Sequence, residues 1–248
     1  TNTMNIGKVH DALVEYMARQ AEAHGVRLRS VNPIVGECND SALNEITERV
    51  IEKEHVFAAI ESAGVDFALG DVGAGKGTTC FGLKGGIGSA SRVFEVGKET
   101  YTLGVLVQSN FGEMENLRLD GKPIGRELAQ KLASSEQDKG SIMIVAATDM
   151  PVTSRQLQRI IKRAGVGLAR LGSFWGHGSG DIVIGFSTAQ RICSEESSGT
   201  IALRALNEEY INIPFSAMAD ATEEAVVRSM MEAGPVGNRH SLAEFVKR

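Results

Sequence analysis

A single α+β domain built from layers of helix and sheet is the fold class this sequence predicts, and three observations predict it. Amphipathic helical stretches and strand-like stretches alternate in blocks along the chain. Two segments, residues 141–149 and 181–189, are apolar enough to be strands buried on both faces. The 248 residues, 42% of them hydrophobic, supply enough apolar surface for one substantial core.

The elements follow in order. Val9, Ala12, Leu13, Tyr16, Met17 and Ala21 recur at helical spacing and Gly25 follows as a stop, so a first helix is predicted. V-N-P-I-V-G-E, residues 31–37, reads as a short strand. Residues 41–63 read as mostly helical, with Val56, Ile60 and Ala63 on one face. From Ser91 aromatic, β-branched and polar residues alternate around Gly97-Lys98, the pattern of a β-hairpin. L-R-L-D-G-K-P-I predicts a second hairpin turning at Asp120-Gly121. A short helix over 125–133 leads into S-S-E-Q-D-K-G, a polar, solvent-exposed loop. After the strand at 141–149, a long helix over 154–171 carries Leu157, Ile160, Ile161 and Ala164 as its inner stripe. The strand at 181–189 and a last helix over 219–233, closed by Gly234-Pro235, complete the chain.

Charge and cysteine content narrow the function. Against 26 basic residues stand 31 acidic ones, a net of −5, with no basic stripe of the kind that binds nucleic acid or an anionic membrane. A small neutral or cationic ligand suits this balance better. Cys38, Cys80 and Cys193 are odd in number and lack C-x-x-C spacing, so neither a disulfide framework nor a metal site is predicted. Free thiols suit a reducing compartment, hence the cytoplasm, and no cofactor is expected. No apolar run approaches the roughly 18 residues of a membrane span. The chain starts at Thr1 and runs directly into a helical pattern, which predicts that it derives from a longer precursor.

G-D-V-G-A-G-K-G-T-T, Gly70 to Thr79, spells almost a phosphate-binding loop. Such a loop must leave a buried strand and enter a helix whose N-terminal amides hold the anion. Here Gly82, Gly85, Gly86 and Gly88 follow closely, each costing a helix about 1 kcal/mol relative to alanine. What precedes is helical rather than strand-like. Backbone packed tightly against backbone, or against a ligand, is the reading the glycines favour.

The junction at Gly140-Ser141 is more informative, because a hydroxyl residue opens an apolar strand directly after a glycine and a hydrophilic loop. A serine so placed can attack the preceding carbonyl, and glycine there gives access and tolerates strained dihedrals. Cleavage would free an α-amine of pKa about 7.7–8.0, able to act as base toward its own hydroxyl. The plainer reading is an ordinary strand start. G-S-F-W-G-H-G-S-G-D-I-V-I-G-F adds Ser179 and Asp181 at the mouth of the next strand, a pair suited either to proton relay or to capping a turn. V-Q-S-N-F-G adds Asn110, an amide donor suited to an oxyanion or to turn formation.

Taken together, V-G-A-G-K-G-T-T-C-F-G-L-K-G-G-I-G-S-A-S-R, D-K-G-S-I-M-I-V-A-A-T-D-M-P, G-L-A-R-L-G-S and H-G-S-G-D-I-V-I-G-F-S-T-A resemble the DmpA / β-peptidyl aminopeptidase family of serine peptidases, from about Thr1 to Gly234. The resemblance implies an α/β (α+β) four-layer αββα sandwich like that of N-terminal nucleophile hydrolases, with DmpA-type connectivity. It implies self-cleavage between Gly140 and Ser141 into an α-chain part, 1–140, and a β chain, 141–248, with an N-terminal family segment absent. It further implies Ser141 as nucleophile, Ser179 and Asp181 in proton transfer, Asn110 in the oxyanion hole and Glu37 on the substrate's free amino group. The substrate class it implies is a small peptide, amide or ester with a free amine, and the assembly a homo-oligomer, four αβ units by analogy. Asp181 stands where the β-peptide-cleaving relatives carry Glu, and His177 where relatives often carry Asn. Two alternatives stay open on the residues alone: a nucleotide-binding protein using Gly70 to Thr79, and a non-catalytic relative of the family.

Overall fold

The structure, a computed structural model, describes residues 1–133, 140–192 and 197–246. Cys193 and all of the polar loop but Gly140 lie outside the described residues.

Helix α1 (Ile6–Ala23) ends where predicted, with Gly25 just beyond it at φ +64°. Helix α2 (Lys53–Glu61) packs on it through the Tyr16 and Phe57 rings, 5.6 Å apart. The helix expected over 41–63 therefore shrinks to its second half. Asn39 accepts a bond from the Ser41 N–H, a turn-making contact that competes with helix, and Arg49 at φ +50° interrupts the chain just before α2. The strand expected at 31–37 forms no ladder; a single parallel bridge joins Asn2 to Cys38 instead.

Strands β1 (Thr79–Cys80) and β2 (Leu83–Lys84) make a small antiparallel ladder. Phe81 and Gly82, both at positive φ, form its turn. The predicted hairpin follows as β3 (Ile87–Val96) and β4 (Glu99–Asn110), turning at Gly97. At Asp120-Gly121 the expected second hairpin is reduced to one bridge, Leu119 to Lys122. Helix α3 (Gly125–Leu132) precedes β5 (Ser141–Thr148). The expected long helix is two helices, α4 (Ser154–Ile161) and α5 (Ala164–Arg170). Strand β6 (Gly180–Ser187) and helix α6 (Asn212–Met231) complete the fold, α6 starting well before the predicted position.

The four longer strands form one sheet in the order β3-β4-β5-β6, antiparallel except for the parallel β5-β6 pair that α4 and α5 connect. Register decides which side chains share a face. Leu103, Val105 and Val107 of β4 share a face with Ile142, Ile144 and Ala146 of β5, all buried under α6 and its neighbours. Each leucine, isoleucine or valine among them contributes about 1.5–3 kcal/mol. Approach is closest at Gly88, where a Cβ would lie 1.8 Å from the Ala225 carbonyl oxygen of α6. Layered helix on sheet is thus the α+β sandwich class expected. The opposite face carries Asn110 and Ser141 at one end and Leu106, Ile182 and Phe186 further along, these last three partly exposed. Strand β6 is not buried on both faces as expected: it is the edge strand of the sheet, and its residues are exposed or only partly buried.

Candidate active site

Ser141 opens β5 opposite two partners. It pairs with Asn110, the last residue of β4, and with Gly180, the first of β6. Directly opposed residues project to the same face, so the Asn110 amide stands beside the serine hydroxyl. On the other side glycine leaves space, since even a Cβ at Gly180 would lie 3.7 Å from the Ser141 Cβ. The carbonyl of Gly140, next to the Ser141 nitrogen, accepts a bond of 3.0 Å from the Gly180 N–H. Gly140 itself has a steric reason to be glycine: a Cβ there would lie 1.8 Å from the Asn110 carbonyl oxygen. It is not among the residues at positive φ, so close approach, rather than the strained dihedral expected, explains the residue type.

Ser179 Oγ donates to Asp181 Oδ1 at 2.9 Å. Asp181 pairs with Ile142 and so belongs to the helix-covered face, whereas Ser141 lies on the other. The pair borders Ser141 across the end of β6, and among the described residues no hydrogen bond joins it to the Ser141 hydroxyl.

Glu37 reaches the same end of the sheet because its neighbour lies flat on β5: a Cβ at Gly36 would lie 2.7 Å from Met143 Cε. The half-buried Glu37 carboxylate accepts a bond from Thr3 Oγ1. Cys38 Sγ sits 3.6 Å from the Gln108 carbonyl oxygen and 3.8 Å from that of Ser141, tying this segment to the strand ends. Burial pushes the Cys38 thiol up to about 11, so it stays protonated and offers no competing nucleophile.

The Asn110 amide has a fixed orientation. Its Oδ1 accepts from the Thr79 N–H at 3.0 Å and its Nδ2 donates to the Asn39 carbonyl at 2.9 Å. A backbone N–H can only donate and a carbonyl only accept, so the reversed amide is excluded, and among the described residues one Nδ2 hydrogen is left over.

The glycine-rich segment is a packed backbone. A short 3-10 turn, Gly73–Gly75, is followed by β1, with no helix starting at Lys76. A Cβ at Gly70 would lie 2.3 Å from the Glu232 carbonyl oxygen, and one at Gly75 would lie 2.6 Å from that of Gly70. Lys76 is exposed. Lys84 is fully buried, and its Nζ donates to the carbonyls of Gly75, Thr78 and Gly85 at 2.8, 3.0 and 2.6 Å. Burial pulls its pKa down to about 8 despite the opposing charges of Asp71 and Asp40. Buried Gln108 also braces the segment, Nε2 donating to the Ala74 carbonyl at 2.9 Å. Sequence reasoning passed over Lys84 and Gln108; for Lys84 the available signal was a lone cation inside the apolar, glycine-rich C-F-G-L-K-G-G. Among the described residues no cluster of His, Cys, Asp and Glu has the arrangement of a metal site.

The model of peptidase family S58 matches residues 1–243. The chain belongs to peptidase family S58. Relatives agree with this placement. The β-peptidyl aminopeptidases BapA of Sphingosinicella microcystinivorans and Sphingosinicella xenopeptidilytica are 38% and 36% identical over 94% and 93% of this chain. The chain spans 62% and 61% of their lengths. Among solved structures, the PH0078 protein of Pyrococcus horikoshii OT3 superposes with a TM-score of 0.88 at 45% identity, over 98% of this chain and 69% of its own. The L-aminopeptidase D-Ala-esterase/amidase of Ochrobactrum anthropi, a serine aminopeptidase with a variant Ntn hydrolase fold, gives 0.84 at 34% identity, over 97% and 67%. S58 membership accounts for the glycine-rich segment as part of a peptidase scaffold, and the phosphate-loop spelling loses its structural support. No helix among the described residues is long and apolar enough to cross a membrane.

Proposed function

We propose that this S58 member is a self-processing serine aminopeptidase acting on small peptides, amides or esters with a free amino group. The observation that carries the reading is the register that sets Ser141 between the Asn110 amide and the bare backbone of Gly180. In processing, Ser141 Oγ attacks the Gly140 carbonyl carbon, and the C–N bond breaks as the acyl group moves from nitrogen to oxygen. Water then hydrolyses this ester, giving a Gly140 carboxylate and a Ser141 α-amine. The α chain, 1–140, and β chain, 141–248, remain associated, and four such units form the assembly.

In turnover the new amine takes the Ser141 hydroxyl proton, Oγ attacks the carbonyl after the substrate's first residue, and the leaving amine departs protonated. The free Asn110 Nδ2 hydrogen bonds the oxyanion, and Ser179 with Asp181 passes protons at the end of β6. Water releases the acyl group. Glu37 holds the substrate ammonium, a charge-assisted bond that selects free N-termini. Support for the substrate class comes from the relatives, which are named for β-peptidyl aminopeptidase and for L-aminopeptidase D-Ala-esterase/amidase activity.

Release of p-nitroaniline from aminoacyl p-nitroanilides tests the reading. Wild-type protein hydrolyses the free-amine substrate and spares its N-acetyl form, and Ser141→Ala hydrolyses neither. Equal turnover by Ser141→Ala would refute the assignment.

A further inference from the structure

We propose that Lys84 is a positioning residue that supplies positive charge to the oxyanion hole through two amide groups, and that organising this relay is what the glycine-rich segment does. The proposal rests on Asn110 acting as oxyanion donor.

The geometry forms a continuous chain. Lys84 Nζ donates to the Thr78 carbonyl at 3.0 Å, and the Thr79 N–H donates to Asn110 Oδ1 at 3.0 Å. That carbonyl and that N–H belong to one peptide group, which is planar and trans, so they point in opposite directions. An ammonium pulling on one end makes the other a better donor. Asn110 is itself an amide, so a stronger bond to Oδ1 makes its Nδ2 hydrogens better donors in turn. The polarity runs from ammonium to peptide 78–79, to the Asn110 side chain, to the place where negative charge develops on the substrate.

The surroundings fit this role. An ammonium has three hydrogens, and Lys84 spends all of them on the carbonyls of Gly75, Thr78 and Gly85. None goes to a carboxylate, which would neutralise the charge; Asp71, Asp40 and Cys80 face it only at longer range. Three carbonyls converge on one atom only if the backbone curls tightly, and the close approaches at Gly75 and Gly85 permit this. A Cβ at Gly85 would lie 2.5 Å from the Ser109 carbonyl oxygen, beside Asn110. The Thr78 carbonyl takes a second bond from the Gly85 N–H at 3.0 Å, which fixes the relaying peptide plane.

The test combines a double-mutant cycle with a spectroscopic titration. Thr79→Pro deletes the relaying N–H, while also fixing φ at 79 and restricting Thr78, and Lys84→Met deletes the charge. Each should lower kcat about tenfold with KM unchanged, a fraction of the loss from removing the whole oxyanion donor. Neither should lower it further in an Asn110→Ala background. Additive losses would overturn the relay. An Asn110→Ala protein with wild-type kcat would instead overturn the oxyanion assignment beneath it. The second measurement needs neither turnover nor a Lys84→Met protein that folds. The Asn110 side-chain NH₂ resonance, followed by NMR in uncut Ser141→Ala protein, where position 141 has no free amine to titrate in the same range, should shift with an inflection near pH 8, where Lys84 titrates, and adding Lys84→Arg should abolish it. A flat Asn110 resonance through that range would also overturn the relay.

Discussion

Asn110 and Ser141 stand directly opposite each other where β4 ends and β5 begins, with the Asn110 carbonyl pressed against Gly140 so closely that no side chain fits there. One residue thereby shapes both sides of the junction: its backbone dictates glycine at 140, and its amide flanks the serine.

If the Asn110 amide stabilises the oxyanion, Asn110→Ala lowers kcat by about 10²–10³-fold with KM little changed. Steady-state kinetics on an aminoacyl p-nitroanilide reads this directly. A change confined to KM would assign Asn110 to ground-state binding instead.

Gly140→Ala introduces a Cβ 1.8 Å from the Asn110 carbonyl oxygen, and the strand ends must separate to admit it. Overpacking of this kind costs about 1–3 kcal/mol. Urea unfolding should show the loss, and cleavage at 140–141, followed on gels, should slow in the same variant.

Glu37→Gln keeps shape and removes charge. KM for free-amine substrates should rise roughly 10- to 100-fold, the worth of a charge-assisted bond of about 1.5–3 kcal/mol. Discrimination against N-acetyl substrates should shrink by the same factor. Unaltered discrimination would move the ammonium site elsewhere.

Lys84 leaves a signature in stability. Its pKa is about 8 when folded, against the ordinary 10.5. Between these values the unfolded chain binds more protons than the folded one, so this group makes stability rise with pH across the window. The gain is complete above the unfolded value and is lost as pH falls through about 8. Urea unfolding at pH 7.5 and 9.5 should show a larger increase for wild type than for Lys84→Arg.

Much of the fold was legible where local pattern and tertiary packing agree. The β3-β4 hairpin announced itself through strict alternation and Gly97-Lys98, and α1 through its apolar stripe and Gly25. Misreadings arose where tertiary contacts overrode local pattern. The stripe over 154–171 is continuous in sequence, yet the chain divides into α4 and α5, where Gly165 packs on the Trp175 ring and Gly167 on the Ala219 carbonyl. The early start of α6 was hidden by Pro214, which reads as a breaker but sits in the first turn, where its missing N–H costs nothing. At the site, the composition break at Gly140-Ser141 was visible in the residues alone. Glu37 gained its expected role only through the family resemblance, and Asn110, which the residues alone left between oxyanion donor and turn former, was decided by it, because turn-forming polar residues carry no local mark of catalysis. Lys84 was missed for a related reason: nothing in sequence tells a buried cation from a solvated one except the apolar, glycine-rich company it keeps.

The central claim is that Ser141 acts as a freed N-terminal residue. Intact-mass measurement of freshly purified protein tests it most directly, with Ser141→Ala alongside. The account predicts a fragment beginning at Ser141 in active wild-type protein and one uncut chain in the variant. Active protein in which residues 140 and 141 remain joined would contradict it.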